Sequence, residues 1–198
     1  MKSLRDVSRF HGHMCPGLAL GYRVSEFALR KLGTRAKDEE IVAVVENDSC
    51  AVDAIQVMTG CTFGKGNLIF KDYGKQVYTF IQRGIRKPKV NALRISVKWQ
   101  SPEETPIETS MWQRYMKGQR TPVVLKAVHK RKSKKINAIL NAKDRELFDV
   151  RVKKIKPPLE AHIWVSIPCS VCGEKVMETR ARIKEGKVMC IPCLERDR

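Results

Sequence analysis

The stretch IVAVVENDSCAVDAIQVMTG, Ile41 to Gly60, changes its hydrophobic pattern halfway along. Its first part, IVAVVE, is a β-branched run of the kind that forms a buried strand. Its second part, NDSCAVDAIQVMTG, reads as a turn followed by a short helix, with Asp48 or Ser49 as N-cap and Gly60 as terminator. A strand leading directly into a helix commits both to one mixed core. Upstream, Leu18 to Leu32 predicts a helix, because Leu20, Val24, Phe27, Ala28 and Leu32 share a face, Glu26 and Arg30 are spaced as an i,i+4 pair, and Gly33 stands ready to cap the end. Downstream, NLIFKD, KQVYTFIQRG and NALRISVK are short β-rich runs separated by Gly, Pro and Asn. The expected fold class is therefore α+β, with an antiparallel sheet packed on the helices.

The chain has 198 residues, 42% of them hydrophobic, which is enough to bury a real core. Thirty-nine Lys and Arg against 21 Asp and Glu give a net charge of +18, which attracts polyanions. No apolar run approaches the ~20 residues of a membrane span, and the N-terminus lacks the apolar stretch of a signal peptide. A cytoplasmic protein with no membrane partner is the expectation. In that compartment seven cysteines point to metal ligation or thiol chemistry rather than a disulfide framework.

The charge is unevenly spread. From Thr109 to Lys143 there are ten Lys or Arg residues and no Asp or Glu, so the region around 101–143 reads as a basic helical segment. Its centre, KAVHKRKSKK, includes Lys130, Arg131, Lys132, Lys134 and Lys135, and is either a solvated helix face or a nucleic-acid contact. Few aromatic residues are interleaved with these charges, which argues against a stacking platform for single strands. Met111, Trp112, Tyr115 and Met116 form an aromatic and sulfur-rich group of the type enriched at interfaces. ELFDVRVKKI predicts one more strand, and Lys156-Pro157-Pro158 marks a joint. The expected domains are 1–157, an α+β core, and 158–198.

Beyond the joint, Cys169 and Cys172 precede Cys190 and Cys193 with seventeen residues between the pairs. Each Cys-x-x-Cys turns two sulfurs toward one point, and four thiolates complete the closed tetrahedral shell of structural zinc without help from His162. Gly173 suits the knuckle after the first pair, and Glu185-Gly186 suits the tip of a hairpin in ETRARIKEGKVMC. The result is a small treble-clef or ribbon zinc module that draws much of its folding free energy from the metal.

Two of the four histidines fall in FHGHMCPG. Pro16 pushes Cys15 toward an extended conformation, in which His11, His13 and Cys15 point the same way. Pro16 or Gly17 also opens the next helix, whose free N–H groups favour a Cys15 thiolate. Cys50 lies beside the start of the second short helix, and Cys61 follows its terminating Gly60. GCTFGKG is close to a phosphate loop, but it is one residue short, lacks the following Ser or Thr and comes after a helix, so no nucleotide site is assigned.

Together, FHGHMCPG, NDSCAVDAIQVMTGCTFGKGN and the terminal cysteine module resemble the FmdE family, named for a component of formylmethanofuran dehydrogenase. The resemblance covers Phe10 to Gly74 and returns at PCSVCGE. It implies an α+β core, intertwined homodimers in two-domain members, and a metal-capable pocket using His11, His13, Cys15, Cys50 and Cys61 with Asp53 nearby. His11 is there either a ligand or the residue that orients one. His11, Cys15 and Asp53 are the candidates for any catalytic role, and whether the chain is an enzyme stays open. The family name implies formylmethanofuran or one-carbon chemistry, although no molybdopterin, tungsten or iron–sulfur pattern is present. The expected protein is thus an FmdE-like metal binder with zinc in the C-terminal module and a second transition ion, read as zinc, in the N-terminal pocket. The alternative is a nucleic-acid-binding or metal-sensing regulator using the basic segment and the zinc finger.

Overall fold

The computed structural model describes residues 2–33, 36–38, 40–83 and 92–196. Gly84 and Asn91, at the ends of two expected strands, lie outside these residues. By backbone contacts the chain divides into two compact units, Met1–Glu160 and Ala161–Arg198.

In the first unit the elements run α1 (Leu4–His11), α2 (Pro16–Leu32), β1 (Ile41–Val45), α3 (Ala51–Thr59), β2 (Leu68–Phe70), β3 (Val77–Gln82), β4 (Ala92–Val97), α4 (Pro106–Met116), α5 (Pro122–Asn141), α6 (Asp144–Leu147) and β5 (Phe148–Lys153). The strands form one sheet in the order β2-β1-β3-β4-β5. This is an α+β architecture, as expected. One pairing departs from the antiparallel reading: β1 and β2 run parallel, with Ala43 opposite Leu68 and Val45 opposite Phe70. The reason is topological, since α3 intervenes between them and carries the chain back across the sheet before β2 begins.

Period-two alternation places Ile41, Ala43 and Val45 of β1 on the helix-covered face, with Tyr78, Phe80, Leu93 and Ile95 of β3 and β4. Val24 and Ala28 of α2 and Ala51 and Ile55 of α3 close over them. Val42, Ile81 and Ala92 point to the opposite face, where Val44, Ile69 and Ile155 partly cover them. The two covering helices approach until a Cβ built on Gly21 would lie 2.3 Å from the Ala51 carbonyl oxygen. Only glycine permits that spacing, and it brings the start of α2 beside the start of α3.

The basic region is an α4–α5 hairpin. Val124, Val128 and Ile139 are buried, so α5 is tied to the first unit's own core. Arg23, buried in α2, donates to the carbonyls of Ile139 at 2.6 Å, Leu140 at 2.8 Å and Ala142 at 2.8 Å, and pairs with Asp144 at 2.9 Å. It thereby satisfies the orphan carbonyls at the C-terminus of α5. Arg83 does the same for the chain's exit, donating to Pro158 O at 3.1 Å and to Leu159 O. These bonds hold the prolines of the expected joint against the first unit, which ends after them.

The second unit contains β6 (Ser166–Pro168) paired with β7 (Lys175–Met177), a 3-10 turn at Glu178–Arg180, β8 (Arg182–Lys184) paired with β9 (Lys187–Met189), and α7 (Ile191–Arg196). Glu185 and Gly186, at φ 50° and 74°, make the tip of the β8–β9 hairpin. A knuckle, a hairpin and a terminal helix follow one another in the order of a treble clef. Among the described residues no helix is long and apolar enough to cross a membrane.

Candidate metal centre

Three helix ends meet at the N-terminal site. α1 begins in a capping box between Ser3 and Asp6 and ends at Gly12, whose φ of 89° turns the chain out of the helix. His11 therefore occupies the last turn of α1. Cys15 is the N-cap of α2, extended at φ −142° and ψ 165° as its position before Pro16 requires, and its sulfur accepts from Leu18 N–H at 3.4 Å. Cys50 stands at the head of α3.

The expected N-caps of α3 are displaced by one or two positions. Asn47 takes the turn instead: its Oδ1 accepts from Ser49 N–H at 3.1 Å and from the Ser49 hydroxyl at 2.6 Å, while its Nδ2 donates to Lys75 O at 2.6 Å. Ser49 is thus engaged, and Cys50 holds the N-cap position with no side-chain capping bond. The Cys50 sulfur stays available.

The Sγ atoms of Cys15 and Cys50 and a ring nitrogen of His11 all lie within 4.8 Å of one another. Cys15 Sγ is 4.0 Å from His11 Nε2, and His11 Nδ1 is 2.7 Å from Asp53 Oδ2. A carboxylate oxygen accepts, so Nδ1–H is the donor and Nε2 is the ring nitrogen that faces the cysteines. In that arrangement a neutral ring would offer its Nε2 lone pair to a metal. Burial pushes the Cys50 thiol up, and the adjacent Cys15 sulfur pushes it further. A divalent cation between the two sulfurs removes that conflict, so the donor set fits a thiophilic transition ion.

His13 and Cys61 stand differently. The exposed ring of His13 leans on His11, with centroids 4.5 Å apart and planes at 38°. It is a neighbour of the three-ligand group and not a member of it. Cys61 is fully buried under the sheet, its thiol 3.3 Å from Ile41 O, and it too lies outside the group. The backbone reversal at Gly60, φ 78°, sends Cys61 into the core. Asp53, expected as a neighbour of the pocket and a candidate for a catalytic role, is the residue bonded to His11 Nδ1. Sequence spacing carried a signal for it: Asp53 is one turn after Cys50 on the same helix. The wall of the adjacent cavity was not anticipated. It is about 380 Å³ and includes Val52, Phe63, Leu68 and Phe70 together with Asn47 and Asp48.

In the second unit, Cys169, Cys172, Cys190 and Cys193 also present sulfurs within 4.8 Å of one another. Cys172 and Cys190 sulfurs are 3.9 Å apart, and Cys190 N–H donates to Cys169 Sγ at 3.3 Å. The backbone N–H groups of Cys172, Cys190 and Val171 pull the Cys169 thiol down to about 6. Its neighbours resist following: hydrogen bonding to the Cys190 sulfur, then burial, push Cys193 up to about 12. One thiolate is stabilised by the backbone, while the raised thiols of Cys172 and Cys193 call for a cation, which is the logic of a closed four-cysteine zinc site.

Residues 10–149 match the family described as FmdE, Molybdenum formylmethanofuran dehydrogenase operon. Residues 165–197 match the prokaryotic dksA/traR C4-type zinc finger. A curated relative from Archaeoglobus fulgidus, named a probable S-adenosyl-L-methionine-binding protein, is 34% identical over 199 residues, covering 96% of this chain and 52% of its own length. The chain therefore spans about half the length of that relative. A solved structure of an FmdE-like protein of the tungsten formylmethanofuran dehydrogenase type, from Syntrophus aciditrophicus, superposes with a TM-score of 0.58 at 21% identity, over 96% of this chain and 89% of that one. That likeness is one of fold.

Proposed function

Because this chain belongs to the FmdE family and carries a C4-type zinc finger, we propose that it is a two-centre metalloprotein whose first centre binds a small ligand at a transition ion. Cys169, Cys172, Cys190 and Cys193 hold the structural zinc. His11, Cys15 and Cys50 hold the second ion, read as zinc, with Asp53 orienting His11 and His13 beside it. The reading is carried by the convergence of the His11, Cys15 and Cys50 ligand atoms within 4.8 Å. Three protein ligands leave a tetrahedral ion one exchangeable position, the arrangement that separates ligand-binding or catalytic centres from closed structural ones. When bound, such an ion supplies Lewis acidity and an anchor for a soft donor.

The cavity beside Cys50 is large enough for a small metabolite and largely apolar in its lining. The name of the Archaeoglobus relative makes sulfur-containing adenosyl compounds the first ligands to assay, and the family description makes one-carbon carriers the second. A homodimer is the assembly implied by the family resemblance. A reducing, cytoplasmic setting suits a chain in which none of the cysteines among the described residues is in a disulfide.

Metal analysis tests this reading directly. The chain is expected to hold a second metal ion beyond that of the finger, and Cys50→Ala is expected to lose that ion alone. After exchange with cobalt, the parent is expected to show thiolate-to-cobalt charge-transfer bands from both centres, with only the first centre's bands responding to added ligand. A single ion per chain, unchanged by Cys50→Ala, overturns the proposal. Sedimentation as a monomer at micromolar concentration overturns the dimer.

A further inference from the structure

The α4–α5 hairpin has no part in either metal centre. Between Pro106 and Asn141 it carries nine Lys and Arg residues against one acid, Glu108. Three of the nine have carboxylate partners: Arg131 and Lys135 pair with Glu104 at 2.8 and 2.6 Å, and Lys134 pairs with Glu108 at 3.4 Å. Among the described residues, Arg114, Lys117, Arg120, Lys126, Lys130 and Lys132 make no ion pair. So much uncompensated like charge on one hairpin destabilises it unless a polyanion is near.

The hairpin also assembles what its basic run lacks in sequence. Trp112 and Tyr115 come from α4, not from the basic run, and helix packing brings them against it. Their rings stack at 5.5 Å between centroids with planes 20° apart. The Arg131 guanidinium lies 4.2 Å from the Trp112 centroid, Arg120 lies 3.8 Å from that of Tyr115, and Lys132 approaches Tyr115 to 5.7 Å. A stacked pair of rings is thus flanked by cations, Arg131 on Trp112 and Arg120 on Tyr115, that the basic run and the connection bring to it. The buried Nε of Arg131 has no hydrogen-bond partner. Arg120 is exposed on the α4–α5 connection, where its guanidinium covers the ring and donates to the carbonyls of Tyr115 and Gln119.

We infer that the α4–α5 hairpin is a docking surface for single-stranded nucleic acid, on which a base replaces the Arg120 guanidinium over Tyr115 while unpaired cations of the hairpin meet phosphates. A base and a guanidinium are both planar and stack on the same ring face, and every base has such a face, so binding is tolerant of sequence. The exposed stripe of Lys126, His129, Lys130 and Ser133 along α5 extends the charge and carries no Phe, Tyr or Trp ring. It adds affinity without choosing single strands.

The test uses the full chain and a fluorescently labelled oligothymidylate or oligouridylate of ~12 nucleotides, followed by anisotropy. Binding at low salt is expected in the micromolar range. It should weaken with salt along a log–log slope of about −2 or steeper, given ~0.7 per phosphate on single strands and three or more contacts. Arg120→Ala with Tyr115→Ala should weaken it roughly tenfold or more, and Arg120→Ala with Tyr115→Leu serves if the truncation disturbs folding. Lys126→Glu with Lys130→Glu should weaken it and flatten the slope. Cys50→Ala should bind as the parent does, so failure of the metal pocket and failure of this surface are read separately. The inference is overturned by no anisotropy change up to ~100 µM protein, by equal competition from a duplex of the same length, by full binding in both double variants, or by capture on vesicles of anionic lipid with none of the oligonucleotide.

Discussion

The two cysteine-bearing centres of this chain stand in opposite relation to the fold around them. At the N-terminal site, the helices α1, α2 and α3 that carry His11, Cys15 and Cys50 share a core of Val7, Leu18, Leu29, Ala54 and Met58, to which Cys15 itself belongs. Each of the three sits at a helix end that is capped, turned or anchored by other residues. In the C-terminal module the buried residues are Cys169, Cys190, Cys193 and Met189, with Val176 and Leu194 packed against them. Its strands are three residues long, and Val171 and Ile183 remain largely exposed. The first fold gathers its ligands; the second is gathered by them. Burial of about four side chains is too little to order a unit of that size without a further source of free energy.

Cys172→Ser tests the contrast at its strongest point. Structural zinc in isolated fingers contributes on the order of 10 kcal/mol of apparent folding free energy, so losing one thiolate should unfold residues 161–198 and release about one zinc per chain. The first unit should keep its cooperative melting. Zinc analysis with limited proteolysis reads both halves of the expectation, and an intact, protease-resistant module without zinc would place the two centres in the same class.

Gly21→Ala probes the other side of the comparison. On an isolated helix this exchange stabilises by up to about 1 kcal/mol. Here the added Cβ would lie 2.3 Å from Ala51 O and 2.6 Å from its Cα. Backbone cannot move aside as a side chain can, so α2 and α3 must separate. Overpacking of this kind costs about 1–3 kcal/mol, a fall of roughly 5 °C in the first unit's melting temperature. Since Cys15 heads α2 and Cys50 heads α3, cobalt binding at the first centre should weaken as well. A stability gain, with metal binding unchanged, would mean that the helices do not position the ligands.

Much of this was legible in the sequence, for identifiable reasons. The β-branched run at Ile41 and the glycine-terminated helices follow from local preference, and the four-cysteine spacing follows from coordination geometry. What escaped depends on packing between elements distant in sequence. Cys61 resembles a ligand in its setting after Gly60, but the left-handed turn aims it into the core. Asn47 outcompetes Asp48 and Ser49 at the turn because its amide reaches both Ser49 and Lys75 O. The parallel β1–β2 pair and the stacking of α4 rings on α5 cations are products of chain crossing, which no local window contains.

Asp53→Asn separates orientation from architecture within the first centre. The asparagine carbonyl can still accept from His11 Nδ1–H, so the fold should melt as before. The lost negative charge lowers the basicity of the ring, and partners of this kind are worth about 10–100-fold in metal affinity. Competition against a chromophoric chelator measures the change. Unaltered affinity would mean that the charge of Asp53 does not tune His11, and that its carboxylate serves only as a hydrogen-bond acceptor.

The smallest effect concerns acid. Hydrogen bonds from Arg131 and then from Lys135 hold Glu104 down at about 2, against 4.5 for a free glutamate. A carboxylate lowered on folding contributes stability that is present above pH 4.5 and lost as the pH falls toward 2. The pair is partly exposed, so the contribution at neutral pH is at most about 1 kcal/mol. Glu104→Gln should therefore lower the first unit's melting temperature slightly at pH 7, and the difference from the parent should close across that acid window. The C-terminal module responds to acid by another route, because protonation of its thiolates releases the ion that holds it. Its loss should come at higher pH than the closing of the Glu104 difference, within one chain and one titration followed by melting and by zinc release. A module that outlasts the Glu104 transition in acid would show that its strands and helix, and not the metal, carry its fold.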